Sequence, residues 1–98
     1  MLHLRVISPP NRTAAVRDLL LREPGATHLT VLPGAALAPA GDLVEADVAR
    51  LATDGVLGSL RALGIDQDGG ITLGVVDTAL SSAADTAVEP LPAIRRTR

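Results

Sequence analysis

The sequence predicts an α+β domain in which one four-stranded antiparallel sheet carries two helices on one face. Three observations predict it. Four short segments alternate apolar and polar residues, the period of half-buried strands; two longer ones repeat apolar residues every three or four positions, the period of amphipathic helices. The third observation is their order: strand, helix, strand, strand, helix, strand. A chain of 98 residues is one domain's length, enough for a single core without disulfides or metal.

The first strand is Leu2-His3-Leu4-Arg5-Val6-Ile7, with Leu2, Leu4 and Val6 on one face and His3 and Arg5 on the other. Ser8-Pro9-Pro10-Asn11 ends it, because proline brings no N–H to a ladder, and Asn11 or Ser8 is placed to cap the next helix. From Arg12 to Glu23, Ala15, Val16, Leu19 and Leu20 recur at helical spacing until Pro24-Gly25 stops the helix. Thr27 to Leu32 returns to the two-residue period, setting Leu29 and Val31 against His28 and Thr30. Residues 33–41 have neither period and carry Pro and Gly at both ends, which predicts a long, mobile connection.

Asp42 to Val48 alternates Val44, Ala46 and Val48 with Leu43, Glu45 and Asp47, giving a third strand that runs directly into a helix over Ala49–Leu63. Ala52, Val56, Leu60 and Leu63 form its apolar stripe, and Gly64 is its stop. Gly55 and Gly58 inside it each cost about 1 kcal/mol relative to Ala, which predicts close approach to a neighbour or a bend. Asp66-Gln67-Asp68-Gly69-Gly70 reads as a turn, and Ile71, Leu73 and Val75 alternate with Thr72, Gly74 and Val76 in the fourth strand.

Two such halves pack most simply as the ferredoxin-like βαββαβ arrangement, with spatial order four, one, three, two and one open sheet face. Residues 1–78 are assigned to this domain and 79–98 to a C-terminal tail, read as a short helix or a disordered linker. Within the tail Ser82 to Val88 suits a short helix capped by Ser81 or Ser82, with Pro90 and Pro92 preventing its continuation.

Composition narrows the chemistry. The chain has no Cys, Phe, Trp or Tyr, so it offers no thiolate, disulfide, zinc ribbon or aromatic stacking platform. A net charge of −2 gives little affinity for phosphate backbones, and no nucleic-acid partner is expected. No apolar run approaches the roughly 20 residues needed to span a bilayer. Asp66-Gln67-Asp68-Gly69 imitates the start of a calcium loop but has Ile71 where that loop needs Gly, and Gly70 and Gly74 where it needs side-chain oxygens. No metal, cofactor or catalytic residue is assigned, because two histidines and scattered acids give no nucleophile, base and orienting group in the sequence.

Two candidate sites remain. His3 and Arg5 on the first strand and Glu45 and Asp47 on the third lie on adjacent central strands facing the open side, where opposite charges pair. They read as an interface, with Arg5, Glu45 and Asp47 setting register for self-association; the simpler reading is a solvated ion-pair cluster. Ser8, Asn11 and Arg12 lie where the first strand feeds the first helix, the place at which small-molecule sensor domains of the ACT type bind a ligand. Helix capping is the simpler reading there, and the ligand is unspecified.

Longer strings carry a resemblance. Leu2-His3-Leu4-Arg5-Val6-Ile7-Ser8-Pro9-Pro10, Thr27-His28-Leu29-Thr30-Val31-Leu32-Pro33-Gly34-Ala35, Gly41-Asp42-Leu43-Val44, Ala46-Asp47-Val48-Ala49-Arg50, Leu60-Arg61-Ala62-Leu63-Gly64 and Val76-Asp77-Thr78-Ala79-Leu80-Ser81 together resemble a family of bacterial membrane proteins. It is the "uncharacterised hydrophobic domain" family, domain of unknown function 389, in its actinobacterial branch. The resemblance implies a cytoplasmic accessory domain at the inner face of the membrane, with a membrane-domain partner and a regulatory or assembly role. It implies no catalytic or binding residues. Expected from residues and resemblance together is a non-catalytic domain that self-associates as a dimer or higher oligomer, with an ACT-like sensor as the alternative.

Overall fold

A computed structural model of the chain describes residues 1–88. Its elements are β1 (Leu2–Ser8), α1 (Thr13–Arg22), β2 (Ala26–Leu37), β3 (Ala40–Val48), α2 (Arg50–Ala62), α3 (Ile65–Asp68), β4 (Gly70–Val75) and α4 (Ser82–Val88). The strands form one antiparallel sheet of order β2-β3-β1-β4, which read from the β4 edge is 4-1-3-2. The architecture is α+β, and the ferredoxin-like arrangement fits it.

The alternation of β1 and β3 sorts their side chains. Leu4, Val6, Val44, Ala46 and Val48 are buried on one face, against Val16 and Leu20 of α1, Val56 and Leu60 of α2, and Ile65 of α3. Each fully buried Leu, Val or Ile contributes about 1.5–3 kcal/mol, so this cluster supplies the main driving force. Residues directly opposite in the ladder share a face. The pairs His3↔Asp47, Arg5↔Glu45 and Ile7↔Leu43 therefore lie together on the other side of the sheet.

Several local expectations need correction. Residues 33–41 are not a loose connection: β2 continues to Leu37, β3 starts at Ala40, and the two form a long hairpin turning at Ala38-Pro39. Pro and Gly misled the reading because they sit in a bulge, at the shift between Leu32 and Ala36, rather than in a loop. Gly34 takes a φ of +67° there, and its N–H donates to the Asp42 carboxylate at 2.7 Å. The other oxygen of Asp42 accepts from Thr13 Oγ1 at 2.6 Å, tying the bulge to the start of α1.

Neither Ser8 nor Asn11 caps α1. A turn of 3-10 helix over Pro10–Arg12 leads into it, and no side-chain cap bond is present at its start. Gly55 and Gly58 do not mark a close approach to a neighbour, since a Cβ at either would meet nothing within 4 Å. The close approach in this region is at Gly25 instead, where an added Cβ would stand 2.6 Å from the Ala52 Cβ. The segment after Gly64 is a single helical turn rather than an open turn, and it buries Ile65, which the apolar-period count omits. Gly64 itself has a φ of +74°, the left-handed conformation that ends α2.

Ile71, Leu73 and Val75 of β4 lie on the helix side, in register with Val6, Leu4 and Leu2. Only Ile71 is packed against the core; Leu73 and Val75 are exposed because the helices do not extend over this edge. The Ser82–Val88 helix forms as expected and packs against β2 through buried Ala84 and Ala87. The expected stop at Pro90 and Pro92 lies outside the described residues.

Candidate functional site

The polar centre of the molecule is a cluster on the sheet face opposite the core, built from β1, β2, β3 and the residue before α4. Asp47 of β3 is its hub. One carboxylate oxygen accepts from His3 Nδ1 at 2.8 Å and the other from His28 Nδ1 at 2.7 Å. His3 turns its Nε2 to Glu45 at 3.1 Å, and His28 turns its Nε2 to the Ser81 hydroxyl at 2.8 Å.

Local backbone explains how two histidines reach one carboxylate. His3 lies opposite Asp47 in the β1–β3 ladder. His28 falls in a bulge, where β2 advances from Thr27 to Thr30 while β3 advances only from Asp47 to Glu45. Its φ of +54° is uncommon for a residue with a side chain and turns the imidazole onto the open face. Leu29 beside it stays packed against the core.

The two histidines differ chemically. His3 has a carboxylate at each ring nitrogen, a setting in which the doubly protonated imidazolium donates to both. Its hydrogen bond to Asp47 raises its pKa above the ordinary value, partial burial opposes this, and Glu45 adds to the rise. His28 has one carboxylate and one hydroxyl. That pattern fits an N–H at Nδ1 held by Asp47 and a lone pair at Nε2 that accepts from Ser81. Burial of Asp47 pushes its pKa up, but the hydrogen bonds from His28 and His3 outweigh this and hold it below the ordinary value.

Among the described residues no group of three or more His, Cys, Asp and Glu side chains is arranged to hold a metal ion. The ring nitrogens nearest Asp47 aim at its oxygens rather than at a shared centre.

The structure brings together three of the four residues expected at the open face. His3 is bonded to both Glu45 and Asp47. Arg5 lies opposite Glu45 and is exposed, with no ion pair among the described residues, because His3 takes the Glu45 carboxylate. Ile7 and Leu43, paired in register on the same face, are half-buried.

At the other candidate site, Ser8 is fully buried and its hydroxyl donates to the Pro9 carbonyl at 3.0 Å. Arg12 pairs with Asp68 at 2.7 Å and reaches the Gly64 carbonyl at 3.4 Å, joining the 3-10 turn before α1 to α3. Asn11 is exposed.

Sequence reasoning missed His28 and Ser81 as members of the cluster. Their contact spans 53 positions, and only the bulge at His28 and the return of α4 create it. The one local signal was Ser81 as a helix cap, and its Oγ does accept the Ala84 N–H at 2.9 Å. Compared with known protein families, curated proteins and solved structures, the chain matches none of them.

Proposed function

We propose that this is an accessory interaction domain that associates with a second copy of itself through the β2–β3 hairpin arm. The observation that carries the reading is Leu37, 89% exposed near the tip of an arm with no charged residue between Leu29 and Gly41. At the axis of a two-fold contact a residue meets its own copy, so a charge there would meet its like; an uncharged apolar arm suits that position. Leu32, exposed on the same edge strand, extends the apolar surface. Pro33 and the two bulges interrupt the ladder that an incoming strand would need, which favours side-chain packing in a closed pair over open-ended strand addition.

Sedimentation velocity over a wide concentration range tests this. The wild-type chain is expected to form dimers that Leu37→Glu converts to monomers, while Leu73→Glu on the opposite edge leaves them intact. A wild-type chain that stays monomeric at several hundred micromolar, or a dimer indifferent to Leu37→Glu, overturns the reading.

The ferredoxin-like assignment rests on the element and strand orders. The ACT-like sensor is the weaker alternative, because Ser8 is buried and Arg12 is engaged by Asp68. A membrane-associated regulatory setting rests on the shared strings alone; hydrophobic spans following this segment in the source gene would support it, and their absence would count against it.

A further inference from the structure

We propose that Ser81 is an activated nucleophile, with His28 as its general base and Asp47 as the group that orients His28, and that it accepts acyl groups from small uncharged esters. The arrangement has the two contacts such chemistry requires among its three residues, in the required order. Ser81 Oγ lies 2.8 Å from His28 Nε2, and His28 Nδ1 lies 2.7 Å from Asp47 Oδ2. Asp47 fixes the proton on Nδ1 and so leaves the lone pair on Nε2, facing the hydroxyl.

Two further features go beyond what capping a short helix needs. The base sits at a bulge in a left-handed backbone conformation, which the fold maintains although a side chain disfavours it. The orienting carboxylate is itself held by a second histidine, His3, and is only 15% exposed, while the base is 38% exposed and reachable. The Ala84 N–H at 2.9 Å from Ser81 Oγ favours negative charge on that oxygen as its proton leaves.

A shallow cleft is lined by Ala79 and Ala84, which flank Ser81 in the chain, together with Met1, Val76, Val88, Asp77 and Asp85; Ser81 itself is not part of its wall. The cleft is small and its exposed surface is more polar than apolar, which suits a short acyl group such as acetyl, and the two acids disfavour anionic substrates.

In the step, Ser81 Oγ attacks the ester carbonyl carbon while its proton passes to His28 Nε2. The bond from that carbon to the alkoxy oxygen breaks, and the departing oxygen takes the proton from His28 Nε2, leaving an alcohol and acyl-Ser81. Water then attacks the acyl carbon with His28 Nε2 accepting its proton; the bond from that carbon to Ser81 Oγ breaks and the proton passes from His28 Nε2 to Oγ, releasing a carboxylic acid and restoring both Ser81 and His28.

The chain suits a direct test because it contains no Lys, Cys or Tyr to compete for the acyl group. The full chain is mixed with p-nitrophenyl acetate, nitrophenolate release is followed by absorbance, and acetylated positions are mapped by mass spectrometry. The expected result is a burst of one equivalent with the acetyl group on Ser81. Ser81→Ala removes both but also removes a cap from α4, so His28→Gln is the deciding variant: it keeps the Ser81 hydroxyl on Ala84. A general base is worth about 10²–10⁴-fold, and His28→Gln is expected to slow acylation by at least about a hundredfold, with Asp47→Asn slowing it as well. Acetylation confined to the N-terminal amine, spread equally over Ser81 and Ser82, or unchanged in His28→Gln overturns the proposal.

Discussion

Gly55 and Gly58 give the clearest quantitative prediction. Both lie in the interior of α2, on its exposed side, with nothing within 4 Å of an added Cβ. Changing either to Ala therefore adds no clash and no burial; it removes only the conformational entropy that glycine loses on entering a helix. That is worth about 1 kcal/mol per site, or about 2 kcal/mol for Gly55→Ala with Gly58→Ala. A domain of this size gains roughly 4–8 °C in Tm per kcal/mol, so the double variant is expected to melt roughly 8–16 °C higher. Urea titration should show a higher midpoint with an unchanged slope. Because association also raises Tm, the measurement is made in the Leu37→Glu background. Gly25→Ala is the internal control: the same chemical change puts a methyl against Ala52 Cβ, and overpacking of this kind costs about 1–3 kcal/mol. If the α2 substitutions fail to stabilise, the helix does not end where described, or that face is covered by something the isolated chain retains.

Three other outcomes are expected. Leu60→Ala empties a fully buried position at the centre of the core and should cost about 2–5 kcal/mol, a loss measured by urea unfolding. His3→Gln should make stability less dependent on pH. The raised pKa of His3 means its contribution is full below about its ordinary value of 6.5 and fades as pH rises through the folded value, whereas that of Asp47, lowered from 3.8, fades as pH falls through its folded value. The His3–Asp47 contribution is thus greatest between those limits and, for a partly exposed pair, stays below about 1 kcal/mol; a difference between variant and wild type that grows above pH 8 would contradict it. Asp42, held below its ordinary value by Thr13 and the Gly34 N–H, keeps the hairpin bulge closed at neutral pH and loses that role in acid; Asp42→Ala should speed hydrogen exchange at the Gly34 amide at pH 6.

How much was legible follows from how local each signal was. Strands β1 and β3 were readable residue by residue, since Leu4, Val6, Val44, Ala46 and Val48 alternate strictly and all five are buried. The same alternation put His3, Glu45 and Asp47 on one face, so three of the five members of the polar cluster followed from the sequence. The hairpin was hidden because a bulge spends residues without keeping the period, and Pro33 and Gly34 in a bulge look like those in a loop. Ile65 was hidden because one helical turn is too short to show periodicity. His28 and Ser81 were hidden for a different reason: their meeting depends on where α4 lands after β4, and no sequence spacing encodes that.

The antiparallel pairing of β1 and β4 has a mechanical consequence. Leu2 stands opposite Val75, so the chain enters and leaves this strand pair at the same end of the sheet. Tension between residue 1 and residue 88 would therefore load the ladder one rung at a time, in peeling rather than in shear. The Ser81–His28 bond lies ahead of the first rung on the C-terminal side. A pull transmitted from beyond α4 would reach that bond before it reached β4, and the sheet's open face would register the load before its core did.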